Sequence, residues 1–194
     1  AVAVYYSDDD IPYGYMVYLI NSDIMHIKEM IYLNREAQLG LWEYIYAHDS
    51  MIDEVHGNNY YSEPIAFELE DSDIKETIRP YAMGRIIDIE QFFGHYSCCT
   101  HKPAVCFEFV VTDELLPWNN GSFRVMFENG KCRITDEVPQ YSMKMTIGTL
   151  TTMLMGYKTA EKLYGMNRIS SSPEAVKRLD DTLLHNMPYI SDYI

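Results

Sequence analysis

Three short runs and one longer segment hold side chains of the types that do chemistry. Cys98-Cys99-Thr100-His101 brings two thiols and an imidazole together, a metal-capable set. A zinc site of this kind needs a second half at regular spacing, and the other cysteines, Cys106 and Cys132, form no Cys-x-x-Cys pair. Adjacent Cys98 and Cys99 make no sensible disulfide framework either, so reduced thiols are expected. His48-Asp49-Ser50 has the residue types of a hydrolytic triad. Triad side chains must converge on one point, however, and three consecutive residues at a helix end diverge. The run reads as helix termination. Trp118-Asn119-Asn120-Gly121 is either a polar site or the corner that turns one strand into the next; the turn chemistry of Asn and Gly favours the corner, with Trp118 packed under the sheet. The methionines of Tyr141–Tyr157 either line an adaptable cavity or fill gaps in a core. No P-loop, Gly-x-Gly-x-x-Gly run or paired-carboxylate motif is present.

The elements that would position these residues occupy 194 residues, enough for one large domain or two small ones with real cores. No run approaches the roughly 18 uninterrupted apolar residues of a membrane span. A start at Ala-Val-Ala-Val-Tyr-Tyr, with neither Met nor a charged-then-apolar leader, is expected of a processed or excised piece of something longer. The formal net charge of −14 is spread along the chain and repels phosphate backbones. Nucleic acid and membrane are therefore not expected partners, and a cytoplasmic location is. The same field attracts cationic amines.

Residues 14–33 read as a β-hairpin turning at Asn21-Ser22-Asp23. Neither alternating set in it is cleanly apolar, which suggests a sheet covered on both faces. Asn34 is a candidate N-cap for a helix whose apolar face is Ala37, Leu41, Trp42 and Ile45. A short strand is expected at Ile65–Leu69. "YAMGRIIDIEQFF" (81–93) then passes from a strand-like half into a helix capped by Asp88, and a domain boundary falls near Met83. In the second half, "AVCFEFVVTDE" and "SFRVMFENGKCRIT" read as strands. Asn129-Gly130 supplies a type I′ hairpin turn, and Asn120-Gly121 makes a similar demand one strand earlier. "YSMKMTI" is a further strand, followed by helices stopped at Gly156 and Gly165. The last helix has Ser172 as N-cap, Pro173 at its first position and Glu174 in its first turn.

Three landmarks then carry a resemblance: "LGLWEYIYAHDSMIDEV" (39–55), "AMGRIIDIEQFF" (82–93), and "LPWNNGSFRV" (116–125) with "LTTMLMGYKTAEKLYGMNRI" (150–169). In this order they resemble the C-terminal part of the Eis-like (enhanced intracellular survival) acetyltransferases of the GNAT superfamily. The resemblance implies an α+β chain: a GNAT-like mixed sheet with helices over 1–83, then a sterol-carrier-like domain with a mainly antiparallel sheet over 84–194. It implies an acetyl-CoA-dependent N-acetyltransferase as the full-length parent, an amine substrate and a homo-oligomer. This fragment would shape the substrate pocket and the oligomer interface. The family's Arg/Gln-x-x-Gly-x-Gly/Ala cofactor loop is missing from the chain, so the fragment alone is expected to bind no acetyl-CoA and to be inactive. In such enzymes the C-terminal carboxylate reaches the active site; here that catalytic role would fall to Ile194, where many relatives end in an aromatic residue. The alternative implied by the sterol-carrier-like half is a non-catalytic module that binds apolar ligands.

Overall fold

The computed structural model describes residues 1–59, 65–69, 74–78, 83–188 and 190. They fall into two compact units, Ala1–Thr77 and Ile78–Ile194. Each is built on a four-stranded mixed sheet, and the class is α+β as the sequence implies.

In the first unit β1 (Val2–Tyr6), β2 (Pro12–Asn21), β3 (Ile24–Tyr32) and β4 (Glu54–Gly57) lie side by side in that order. The first two pairings are antiparallel and β3–β4 is parallel. Ser22 and Asp23, both at positive φ, make the β2–β3 turn. The helix α1 (Arg35–Tyr46) starts where the Asn34 side chain accepts the Ala37 N–H at 2.8 Å. Its buried positions Ala37, Leu41 and Ile45 recur every fourth residue and so form one stripe, laid over Met16 and Met25. The expectation of a sheet covered on both faces is not met. The register places Val2, Val4, Tyr15, Val17 and Ile31 on the face away from α1, where Val2 is 63% exposed. Ile65–Leu69 was expected as a strand, but Ile65–Glu68 is a helical turn, α2. Ala66 and Glu68 are good helix formers, and Glu68 is held by Arg35 and Gln38 of α1.

In the second unit α3 (Ile89–His95) precedes β5 (Val105–Thr112), β6 (Gly121–Glu128), β7 (Lys131–Ile134) and β8 (Tyr141–Thr146). Spatial order is β7-β6-β5-β8; only β5–β8 is parallel. Asn129 at φ 51° and Gly130 at φ 81° make the expected hairpin turn between β6 and β7. One face of the sheet presents Phe107, Phe109, Val125, Phe127, Met143 and Met145 to a continuous core. The helices α4 (Ile147–Leu154), α5 (Ala160–Gly165) and α6 (Pro173–Asp180) add Leu150, Leu163, Val176 and Leu179 to it. Thr146, Thr159 and Ser172 cap these three helices, and Asp180 accepts the Ala160 and Glu161 N–H groups at 2.7 and 2.8 Å. The helix α5 ends at Gly165 as expected, and the left-handed residue that follows is Asn167. Residues 83–88 form no strand, because Ile86 N–H donates to Thr151 Oγ1 and the Ile87 carbonyl serves side chains instead of a ladder.

Candidate functional site

The Trp-Asn-Asn-Gly corner joins β5 to β6, but by a route the sequence did not reveal. Asn120 sits at φ −84° and only Gly121, at φ 146°, is positive, so no type I′ turn forms here. Pro117–Asn119 instead makes one turn of 3₁₀ helix, organised by the first residue after β5. That residue, Asp113, is buried, and its Oδ1 accepts the Leu115 and Leu116 N–H groups at 3.0 and 3.1 Å. Asn119 donates to Oδ2 at 3.0 Å, and Arg85 completes an ion pair on Oδ1. Asn120 bonds both backbone groups of Asp113.

Asn119, 1% exposed, is the hub. Its Oδ1 accepts the Ile89 N–H at 3.2 Å while its Nδ2 donates to the Ile87 carbonyl at 2.9 Å. The corner is thereby latched to the segment that starts α3. Trp118 was expected under the sheet, but it is 60% exposed. Its indole N–H needs an acceptor and finds the Ile87 carbonyl at 2.9 Å, which holds the ring at the surface.

Electrostatics decide what this network can do. Burial raises the Asp113 pKa, but hydrogen bonds from Asn119, the Leu115 and Leu116 N–H groups and Arg85 outweigh burial and hold the carboxyl well below the usual range. A carboxylate saturated with donors is neither acid nor base near neutrality. The network positions; it does not react. Beside it opens a cleft of about 310 Å³ lined by Asp88, Ile89, Glu90, Trp118, Asn119 and Phe123. Asp88 Oδ1 is committed to capping α3 through the Gln91 N–H at 2.9 Å.

Other candidates from the sequence are placed as follows. His48, Asp49 and Ser50 lie in the turns that end α1, and His48 Nδ1 bonds the Tyr44 carbonyl at 2.8 Å. Its ring packs against Tyr44, whose hydroxyl meets that of Tyr18 at 2.5 Å. The hydrogen bond to Tyr44, then burial, raises the Tyr18 phenol. Sequence reading missed this cluster because its members are 26 residues apart. All four cysteines are free thiols; Cys98 Sγ donates to the Lys131 carbonyl and Cys99 Sγ to that of Leu183. Among the described residues no group of three or more His, Cys, Asp or Glu side chains could hold a metal. Met143, Met145 and Met153 are buried in the core of the second unit, as gap-filling requires. Ile194 lies outside the described residues. No described helix is long and apolar enough to cross a membrane.

Residues 1–86 match the family model described as "Acetyltransferase (GNAT) domain", and residues 89–191 the one described as "Sterol carrier protein domain". No curated protein matches the chain. Among solved structures, a conserved protein of unknown function from Enterococcus faecalis, described as a probable N-acyltransferase, is 26% identical with a TM-score of 0.91. The similarity covers 100% of this chain and 49% of that one. A GCN5-related N-acetyltransferase from Anabaena variabilis is 20% identical with a TM-score of 0.79, covering 100% of this chain and 51% of that one. Eis1 from Mycobacterium abscessus is 19% identical with a TM-score of 0.72, covering 93% and 48%. The chain thus spans about half the length of the structures it matches.

Proposed function

The chain belongs to the sterol carrier protein domain family and carries a GNAT acetyltransferase domain ahead of that domain, and from this premise we propose its function. It is the portion of an Eis-like, acetyl-CoA-dependent N-acetyltransferase that walls the amine pocket and supplies the oligomer interface, while the cofactor is held elsewhere in the longer enzyme. The observation that carries this reading is the likeness of the whole chain, at a TM-score of 0.91, to half of a probable N-acyltransferase. The domain order of the two matches supports it.

The start of α1 offers the pyrophosphate of acetyl-CoA no ready site, which supports this reading. A pyrophosphate needs free backbone N–H groups at a helix N-terminus, usually approached through glycines. At the start of α1 the Ala37 N–H is already taken by Asn34, and Glu36, which accepts the Tyr5 hydroxyl at 2.7 Å, places a negative charge in the first turn. No glycine lies between β3 and α1. We therefore assign no step of the transfer to cofactor held by this chain.

Calorimetry with acetyl-CoA on the 194-residue chain tests the assignment. No saturable heat and no acetyl transfer to a panel of primary amines are expected; stoichiometric binding would overturn it. The carboxylate of Ile194 is the chain's one proposed catalytic group, accepting a proton from the attacking amine. Amidating that terminus in the longer enzyme should depress turnover most at low pH, where more of the amine is protonated and must lose its proton before it attacks, and an unchanged pH profile would remove Ile194 from the mechanism.

A further inference from the structure

We propose that the cleft beside Trp118 is a binding site for a small organic ammonium ion. The cleft, of about 310 Å³, sits at the lower limit of ligand-sized pockets and so fits a small group. Ile89 and Phe123, 1% and 9% exposed, lie beneath it, and the carboxylates and amide of its rim make most of the surface it offers polar. Its wall is an indole whose position is fixed: the Nε1–H bond to the Ile87 carbonyl anchors one edge, and that carbonyl is itself held by buried Asn119. Such a ring presents its face without first having to be ordered. An aromatic face attracts a cation through its quadrupole, most strongly for tryptophan.

The charges around the cleft choose the same ligand. Its lining holds two carboxylates, Asp88 and Glu90, and no basic side chain. Asp88 is occupied as the cap of α3, whereas Glu90 is exposed and makes no hydrogen bond or ion pair among the described residues. Glu90 is therefore the free counter-charge. The net charge of −14 draws cations toward the surface at long range and disfavours anions such as phosphate. An aromatic wall beside one free carboxylate suits an alkylated ammonium, whose charge meets Glu90 while its alkyl groups lie against the indole. The site lies wholly in the second unit and does not depend on the acetyl-transfer reading, so either can fail alone.

The experiment uses choline and its uncharged isostere 3,3-dimethylbutan-1-ol as probes, with ionic strength matched by sodium chloride. The chain has two tryptophans, so Trp42→Phe leaves the Trp118 indole as the reporter in fluorescence and in ¹H–¹⁵N spectra. Choline is expected to shift the Trp118 signals saturably, and the alcohol to leave them unsaturated. Glu90→Gln should weaken choline by about 2- to 5-fold while lowering the melting temperature only slightly, since the exposed side chain makes no bond among the described residues and acts on the fold only as a charge in the first turn of α3. Trp118→Leu, followed by broadening of the choline methyl resonance, should abolish the interaction. Equal binding of the two probes, an unchanged affinity in Glu90→Gln, or a choline response that never saturates would each overturn the proposal.

Discussion

The two sheets of this molecule are alike in plan and unlike in how they are held. Each has four strands with a single parallel pairing at one end, β3–β4 in the first unit and β5–β8 in the second. The first is covered by one long helix, and its fully buried apolar cluster is Met16, Met25, Leu41 and Ile45. The second shares its core face with four helices, and Phe93, Phe107, Phe109 and Phe127 interlock at ring separations of 5.6 to 6.3 Å. Their far faces differ as much. In the second unit that face is mostly polar, with Glu108 accepting from Ser122 and Ser142 at 2.7 and 2.9 Å, although Cys106 and Met126 are buried on it. In the first it carries Val2, Val4 and Leu19, all exposed. Apolar type therefore misleads about burial on the far face of the first sheet, where Val2, Val4 and Leu19 are exposed, whereas on that of the second the apolar Cys106 and Met126 are buried.

The largest test of this difference lies in the aromatic core. Phe109→Ala removes a fully buried ring stacked on Phe93 and should cost about 3–5 kcal/mol. Leu41→Ala, the corresponding cut in the first unit, should cost about 2–4 kcal/mol, because a thin layer beside solvent can relax around the gap. Each unit holds one tryptophan, Trp42 or Trp118, so single-tryptophan backgrounds follow the two melts separately. The comparison survives if Phe109→Ala moves the Trp118 transition further than Leu41→Ala moves that of Trp42. It breaks if both signals fall together in both variants, which would make the chain one cooperative unit.

The corner of the second unit has no counterpart in the first, and it predicts the next effect. Asn119→Ala leaves the buried Ile89 N–H and one Asp113 oxygen short of a partner, which should cost about 2–3 kcal/mol. Chemical denaturation followed at Trp118 measures it. A loss under about 0.5 kcal/mol would show that water replaces the hub.

How far such features were legible in the sequence depends on range. The caps at Asn34, Asp88 and Ser172 and the Asn129-Gly130 turn are local chemistry, and the structure realises each of them. The strand β4 escaped notice because all four of its residues are exposed and no apolar pattern marks them. At the corner, the local signal of Asn120-Gly121 suggested a hairpin, whereas the deciding partners were Asp113 and the Ile87 carbonyl, 31 residues from Trp118. A carboxylate just after a strand and two to three residues ahead of paired leucines is the one cue that could have exposed the network, since such an Asp bonds the backbone that follows it.

Acid should therefore reach the second unit through this carboxylate. The folded Asp113 binds its proton less tightly than the unfolded chain does, its hydrogen bonds having outweighed burial. Its stabilisation is complete above the unfolded value, about pH 4, and is lost as pH falls below that toward the lower folded value. Melting of the Trp118 signal should thus decline below about pH 4. Asp113→Asn should flatten that decline while lowering stability at pH 7, and an unchanged acid limb in the variant would place the responsible carboxylate elsewhere.

The smallest effects belong to two large exposed side chains, one in each unit. Leu19, 53% exposed on the open face of the first sheet, meets no buried cluster, and Leu19→Lys should shift stability by no more than about 0.5 kcal/mol. Trp118, 60% exposed, has one thing Leu19 lacks: the hydrogen bond to the Ile87 carbonyl. Trp118→Ala should therefore cost about 1 kcal/mol, the net worth of one such bond. It should cost no more, because Asn119 still donates to the same carbonyl at 2.9 Å and leaves it satisfied. Paired denaturant titrations of the two variants, read by circular dichroism, separate the cases. A loss of 3 kcal/mol or more at Trp118, on the scale of about 3–5 kcal/mol for a buried aromatic, would mean that the ring is packed in solution and that the cleft beside it is closed.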